Sequence, residues 1–154
     1  MSEEVVTVER VIPAPAERIF ALLVDPHRHR EFDGSGTVRE AKNVPDSLAL
    51  GSTFGMSMRL GVPYSMVSTV VEFEQDKRLA WQTAPPYPLV KKVTGGRIWR
   101  YELEPVEGGT RVRESWDIRQ EGILSKPAVR MAADTTRKNM AATLERIEQV
   151  LCSS

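Results

Sequence analysis

The chain has 154 residues and a mass of 17.3 kDa, the size of one ordinary domain and enough to bury about two thirds of its unfolded surface, so 1–154 is read as a single unit. Its 41% hydrophobic and 27% charged residues exclude a disordered or collagen-like chain, and 21 basic against 21 acidic residues, without long runs of either sign, exclude the cation excess that binds nucleic-acid or membrane phosphates. The single Cys152 leaves no intramolecular disulfide and no cysteine-based metal site, which points to the cytoplasm, and no stretch is long and apolar enough to predict an export signal or a membrane span.

Val5 to Ile12 is rich in β-branched residues and is halted by Pro13-Ala14-Pro15, which predicts a first strand. Ala16, Ile19, Phe20 and Leu23 then recur at helical spacing until Asp25-Pro26, and Pro26 can open a second short helix reaching Phe32. Asp33-Gly34-Ser35-Gly36 is a loop signal. From Thr37 to Gln120 turn chemistry separates six strand-like segments, at 37–44, 52–60, 64–74, 78–84, 96–105 and 109–119. Glu107-Gly108-Gly109 is the clearest hairpin turn among them. After Ser125, a plausible N-cap, Val129, Ala133, Thr136, Met140, Leu144, Ile147 and Leu151 step by three and four, predicting one amphipathic helix of about six or seven turns. Such a helix must lie on something, and the concave face of a curved antiparallel sheet is available.

Alternation assigns the faces. Trp99, Tyr101 and Leu103 point one way and Arg100, Glu102 and Glu104 the other, and in the partner strand Val112, Glu114, Trp116 and Ile118 form the apolar set. Phe54, Met56, Met58 and Leu60 share one face of another strand, and Leu79, Trp81 and Thr83 one face of a third. A single-residue bulge would reverse any of these parities. The aromatic and methionine set either fills a core or lines an adaptable apolar pocket.

Several stretches resemble one family: VERVIPAPAERIFALLVDPHRHREF, RLAWQT, RIWRYELEPVEGGTRVRESWDI and NMAATLERIEQVL, in that order along nearly the whole chain. Together they are similar to the polyketide cyclase/dehydrase-like branch of the START and birch-pollen-allergen superfamily, with Phe32 standing where many relatives have Trp. The resemblance implies an α+β helix-grip fold, a seven-stranded curved antiparallel sheet wrapped around the C-terminal helix with an apolar cavity between them. It also implies a small hydrophobic or amphipathic ligand, such as a lipid, polyketide or isoprenoid-like compound. The expected lining is Phe32, Phe54, Met56, Met58, Tyr64, Trp81, Thr83, Arg97, Trp99, Tyr101, Glu114, Trp116 and Met140, with Tyr64, Arg97, Tyr101 and Glu114 orienting the ligand. Movement of the Pro85–Pro88 loop, of the short helices near Phe32 or of the start of the last helix would admit it.

Glu114 breaks a local rule, because an ionised carboxylate among tryptophans is costly to bury unpaired. It is either paired with Arg97 or wetted at the cavity mouth, or else it is a raised-pKa acid fit for enolisation or dehydration chemistry beside Tyr101, as in a cyclase, aromatase or dehydratase. A third reading is a protein-interaction or toxin-like regulatory module. His27 and His29 do not share a helical face and read as solvated; no metal and no cofactor are expected. Lys91, Lys92, Arg97 and Arg100 read as a solvated basic edge, with anionic ligand headgroups as the sharper alternative. Oligomeric state is not encoded in these patterns.

Overall fold

A computed structural model describes residues 4–34, 38–42, 47–60, 62–87 and 93–152, with no side-chain description at 38–42, 59–60 and 62–63. The strands are β1 (Val5–Ile12), β2 (Val38–Lys42), β3 (Thr53–Leu60), β4 (Val62–Glu74), β5 (Arg78–Ala84), β6 (Arg97–Val106) and β7 (Gly109–Asp117). They form one seven-stranded sheet in the order β1-β7-β6-β5-β4-β3-β2, every neighbouring pair antiparallel. The expected strand residues 37 and 43–44, the loop residues Ser35 and Gly36 and the turn Pro45-Asp46 lie outside the described residues.

The β6–β7 hairpin closes where the sequence places it, with Val106 opposite Gly109. Gly108 has φ +88, and a Cβ on Gly109 would stand 2.1 Å from the Ile12 carbonyl oxygen, so this turn tolerates only glycine where it touches the end of β1. A bulge in β4 between Val70 and Glu72 reverses its parity. Val70 faces the core, Val71 is exposed, and Phe73 returns inward to meet Phe20 edge-on at 5.5 Å between ring centroids.

Helix α1 (Ala16–Leu23) buries Ala16, Ile19, Phe20, Leu22 and Leu23. A 3-10 turn over Pro26–Arg28 follows, capped by Asp25, whose carboxylate accepts the His27 N–H, and α2 (His29–Phe32) completes the pair of short helices. The expected single long helix is two: α3 (Lys126–Met131) and α4 (Ala133–Cys152). The break is at Ala132, which sits near φ −87, ψ 6 and donates its N–H back to Val129 and Arg130 instead of continuing the helical ladder. A continuous stripe needs both segments on one surface; α3 buries no residue and is held by ion pairs of Lys126 and Arg130 with Glu4, whereas α4 buries Thr136, Met140, Thr143, Leu144 and Ile147.

Two apolar clusters hold α4. The larger joins Ile12, Ile19, Phe20, Leu79, Leu103 and Val112 to Leu144 and Ile147; the smaller joins Val6, Trp116 and Ile118 to Met140. Near the larger cluster the loop after α2 touches α4 backbone to backbone. The Gly34 N–H donates to Thr143 Oγ1 at 2.8 Å, and a Cβ on Gly34 would lie 2.0 Å from the Asn139 carbonyl oxygen and 2.6 Å from the Thr143 nitrogen. Backbone on both sides has no rotamer with which to yield. Gly34→Ala is therefore expected to lower the unfolding free energy by about 1–3 kcal/mol, read as a shift in urea midpoint with unchanged slope.

Candidate functional site

Between the concave face of the sheet and α4 lies a cavity of about 460 Å³. Strand alternation builds its floor: Phe54, Met56 and Met58 from β3; Tyr64, Met66 and Ser68 from β4; Trp81 and Thr83 from β5; Arg97, Trp99 and Tyr101 from β6; Glu114 from β7. The roof is one face of α4, with Thr136, Asn139, Met140 and Thr143, and His29, Phe32 and Asp33 of the α2 region close the wall. This volume is in the range of pockets that enclose a drug-sized molecule.

The wall is aromatic around His29. Its ring stacks on Trp81 at 5.0 Å with 19° between planes and meets Phe32 and Phe54 edge-on at 5.4 and 5.6 Å. Trp81 continues the set to Phe54 and Tyr101, each at 5.7 Å. His29 Nε2 lies 2.8 Å from the Leu23 carbonyl oxygen, which fixes that nitrogen as the N–H donor and leaves Nδ1 with its lone pair. Burial pushes the imidazole pKa down to about 4, so it is neutral at physiological pH.

Glu114 is 2% exposed, and its Oε1 has no hydrogen-bond partner among the described residues. Register brings it to Tyr101, directly opposite on β6, whose hydroxyl hydrogen-bonds the carboxyl group. Burial, reinforced by the charge of Asp33 and opposed by the Tyr101 bond, pushes the Glu114 pKa up to about 8. Burial, reinforced by the charge of Glu114, also holds the Tyr101 phenol well above its ordinary value. Near neutrality Glu114 is therefore mainly a carboxylic acid with a vacant oxygen on an aromatic wall, able to donate or accept one hydrogen bond from a guest.

Arg97 does not serve Glu114. Its guanidinium binds Glu121 through Nε at 3.2 Å and Nη2 at 3.1 Å, and the same carboxylate accepts the Gly95 N–H at 3.1 Å and the Ser125 hydroxyl. The Glu121 side chain is fully buried. This paired ion and its hydrogen bonds tie the segment before β6 to the segment before α3, so the cavity rim there is stapled.

All the expected lining residues border the cavity except Trp116. Trp116 has the inward parity assigned to it, but it packs 6.4 Å from Trp99 in the smaller cluster with Val6, Ile118 and Met140. His29, read as solvated, is 5% exposed and central to the wall. The carboxylate expected near Arg97 is Glu121 in place of Glu114, and Arg100 faces outward onto Glu72 at 2.6 Å and Asp117 at 3.6 Å, so neither arginine is an open cation. Lys91, Lys92 and Pro88 and the side chain of Leu60 lie outside the described residues. Sequence reasoning missed Met66 and Ser68, which share the parity of Tyr64, and Thr136, Asn139 and Thr143, which neighbour Met140 along the helix. Among the described residues no group of His, Cys, Asp or Glu converges to hold a metal ion, and no helix is long and apolar enough to cross a membrane.

A family model described as polyketide cyclase/dehydrase and lipid transport matches residues 3–151. An uncharacterized Mycobacterium tuberculosis protein, Rv0088, is 39% identical over 115 residues, which cover 73% of this chain and 47% of that protein. The match thus spans about half the length of that relative. Among solved structures, protein MLL2253 from Mesorhizobium loti aligns over 97% of this chain and 98% of its own with TM-score 0.71 and 21% identity. DynU16, a putative protein in the dynemicin biosynthetic locus, aligns over 98% of this chain and 48% of its own with TM-score 0.69 and 14% identity. At these identities the two structures establish the shared fold.

The shifted groups set opposite pH slopes on stability. His29, depressed from 6.5 to about 4, contributes stability that is whole above pH 6.5 and is lost as pH falls through 4. Glu114, raised from 4.5 to about 8, contributes stability that is whole below pH 4.5 and is lost as pH rises through 8. From pH 6.5 to 8 only the Glu114 slope remains of the two. Urea unfolding of Glu114→Gln, compared with the parent across that window, should remove a decline of at most about 1.4 kcal/mol per pH unit. Arg97→Ala, which strands a buried carboxylate, should cost about 3–5 kcal/mol in the same assay.

Proposed function

The chain belongs to the polyketide cyclase/dehydrase and lipid transport family, and within that family we propose that it binds a small hydrophobic or amphipathic molecule in the cavity under α4. The observation that carries the reading is the cavity of about 460 Å³ walled by Trp, Tyr, Phe and Met side chains and holding a vacant carboxyl oxygen. Burial of apolar ligand surface contributes about 25 cal/mol per Å², and the methionines of β3 and β4 let the floor adapt to its guest.

A second reading rests on the Glu114–Tyr101 pair. A carboxyl raised to about 8 beside a buried phenol is suited to moving a proton on an enolisable or dehydrating substrate near neutral pH. The Tyr101 hydroxyl would polarise a carbonyl and Glu114 would take or return the proton.

Native and denaturing mass spectra of the freshly purified protein should differ by a noncovalent mass that denaturation releases. Thr136→Phe, which fills the cavity from the roof, should abolish that mass and weaken an apolar fluorescent probe by about tenfold or more while leaving the circular dichroism spectrum unchanged. Equal probe binding by both proteins refutes the cavity reading. Glu114→Gln separates carriage from catalysis, since a proton shuttle loses turnover and keeps binding.

A further inference from the structure

Resting on the cavity reading above, we infer that the preferred guest is an uncharged, flat apolar molecule with a hydrogen-bond acceptor at one edge, held by a donor from the Glu114–Tyr101 pair. The two side chains stand opposite each other on β7 and β6, both buried and both bordering the cavity. Protonated, they carry two O–H groups and share one hydrogen bond, and Oε1 of Glu114 has no partner among the described residues. One O–H is therefore left over whichever way the shared bond runs. A hydrocarbon guest that covers the pair leaves that donor unmet, whereas an acceptor completes it. Beside the pair, Trp81 lies 5.7 Å from Tyr101 and stacks on His29 at 5.0 Å, so the adjoining space is walled by rings and suits a planar body.

The groups around Glu114 fit a neutral guest. From α2 comes His29, neutral and bonded to Leu23, and from the loop after it Asp33, whose carbonyl oxygen accepts from Arg146 of α4. Val8 stands opposite on β1, and α4 lines the roof with Thr136, Asn139, Met140 and Thr143. Arg97, the cation on the described lining, is held by Glu121, so an anionic headgroup finds no open counterion there. An ammonium group would first have to strip the proton from Glu114, which is mainly a carboxylic acid near neutrality. An acceptor uses the acid as it stands. Binding therefore follows protonation of Glu114 and weakens as pH rises through about 8, while Tyr101, held well above its ordinary value, keeps its proton.

The test displaces the apolar fluorescent probe from the intact protein with three compounds of one shape: 2-acetylnaphthalene, its hydrocarbon analogue 2-isopropenylnaphthalene, and 2-naphthoate. At pH 7 the ketone should bind about tenfold tighter than the hydrocarbon, with the carboxylate weakest. Between pH 7 and pH 9 the ketone should weaken about tenfold, and Glu114→Gln, which cannot ionise, should flatten that profile. Glu114→Leu combined with Tyr101→Phe removes both donors and should erase the ketone's advantage. A hydrocarbon as tight as the ketone, a carboxylate tighter than either, or a pH profile that survives Glu114→Gln overturns the inference and leaves the cavity reading standing. So does a bound fluorescent probe that none of the three displaces. Absence of binding by the fluorescent probe and by all three compounds overturns both.

Discussion

The architecture depends on holding a helix over a sheet at its two ends without packing its middle. Leu144 and Ile147 are buried with α1 and the inner faces of β5, β6 and β7 at one end, and Met140 with Val6, Trp116 and Ile118 toward the other. Polar contacts fix the same two places: the Gly34 N–H on Thr143 at 2.8 Å, and Lys126 and Arg130 on Glu4 at 2.9 and 2.7 Å. With both ends secured, the span between can carry threonine and asparagine above an open volume. A uniformly apolar stripe there would collapse the cavity, since interiors otherwise close-pack.

The same arrangement explains where charge is tolerated. On the outer face, Arg100 and Arg78 share Glu72, and Arg78 reaches on to Glu102 at 2.9 Å, so cations and anions alternate from strand to strand. Arg100 and Arg119 bracket Asp117, pulling its carboxyl below the ordinary range. Inside, Glu121 is buried completely and is ionically paired with Arg97. Glu114 has only a phenol for company, and burial pushes its carboxyl upward. The contrast identifies the cavity wall, among the described residues, as the place where a buried carboxyl group has been left without a cationic partner.

Strand alternation made most of this legible from sequence. It placed Trp81, Trp99, Tyr101 and Glu114 on one surface, and all four border the cavity. Parity alone does not give position along a strand, which is why Trp116 shares the inward face and still falls in the packed end. Register supplies the missing coordinate. With Val106 opposite Gly109, Tyr101 faces Glu114, and Arg97 lies four residues further on, about 13 Å away along the strand. The Arg97–Glu114 pairing is excluded by that arithmetic. His29 is different: its burial comes from the α2 helix lying against Trp81, a tertiary contact that no local spacing records. The break at Ala132 was equally hidden, because helical periodicity runs through it while α3 is held on Glu4 by Lys126 and Arg130.

A buried acid with a vacant oxygen costs stability, and the fold offers a cheaper solution two strands away, where Ser68 and Thr83 satisfy each other at 2.9 Å on the same cavity floor. Replacing Glu114 by an apolar residue of similar volume would also spare the desolvation of a carboxyl group. The structure pairs its other buried carboxylates, Glu121 and Asp117, with arginine and donors from their own surroundings. Among the described residues, Glu114 therefore departs from a rule that the other buried carboxylates keep. Its position opposite Tyr101, under the polar stretch of α4 and within the field of Asp33, makes that departure useful only when something else enters the cavity to complete it.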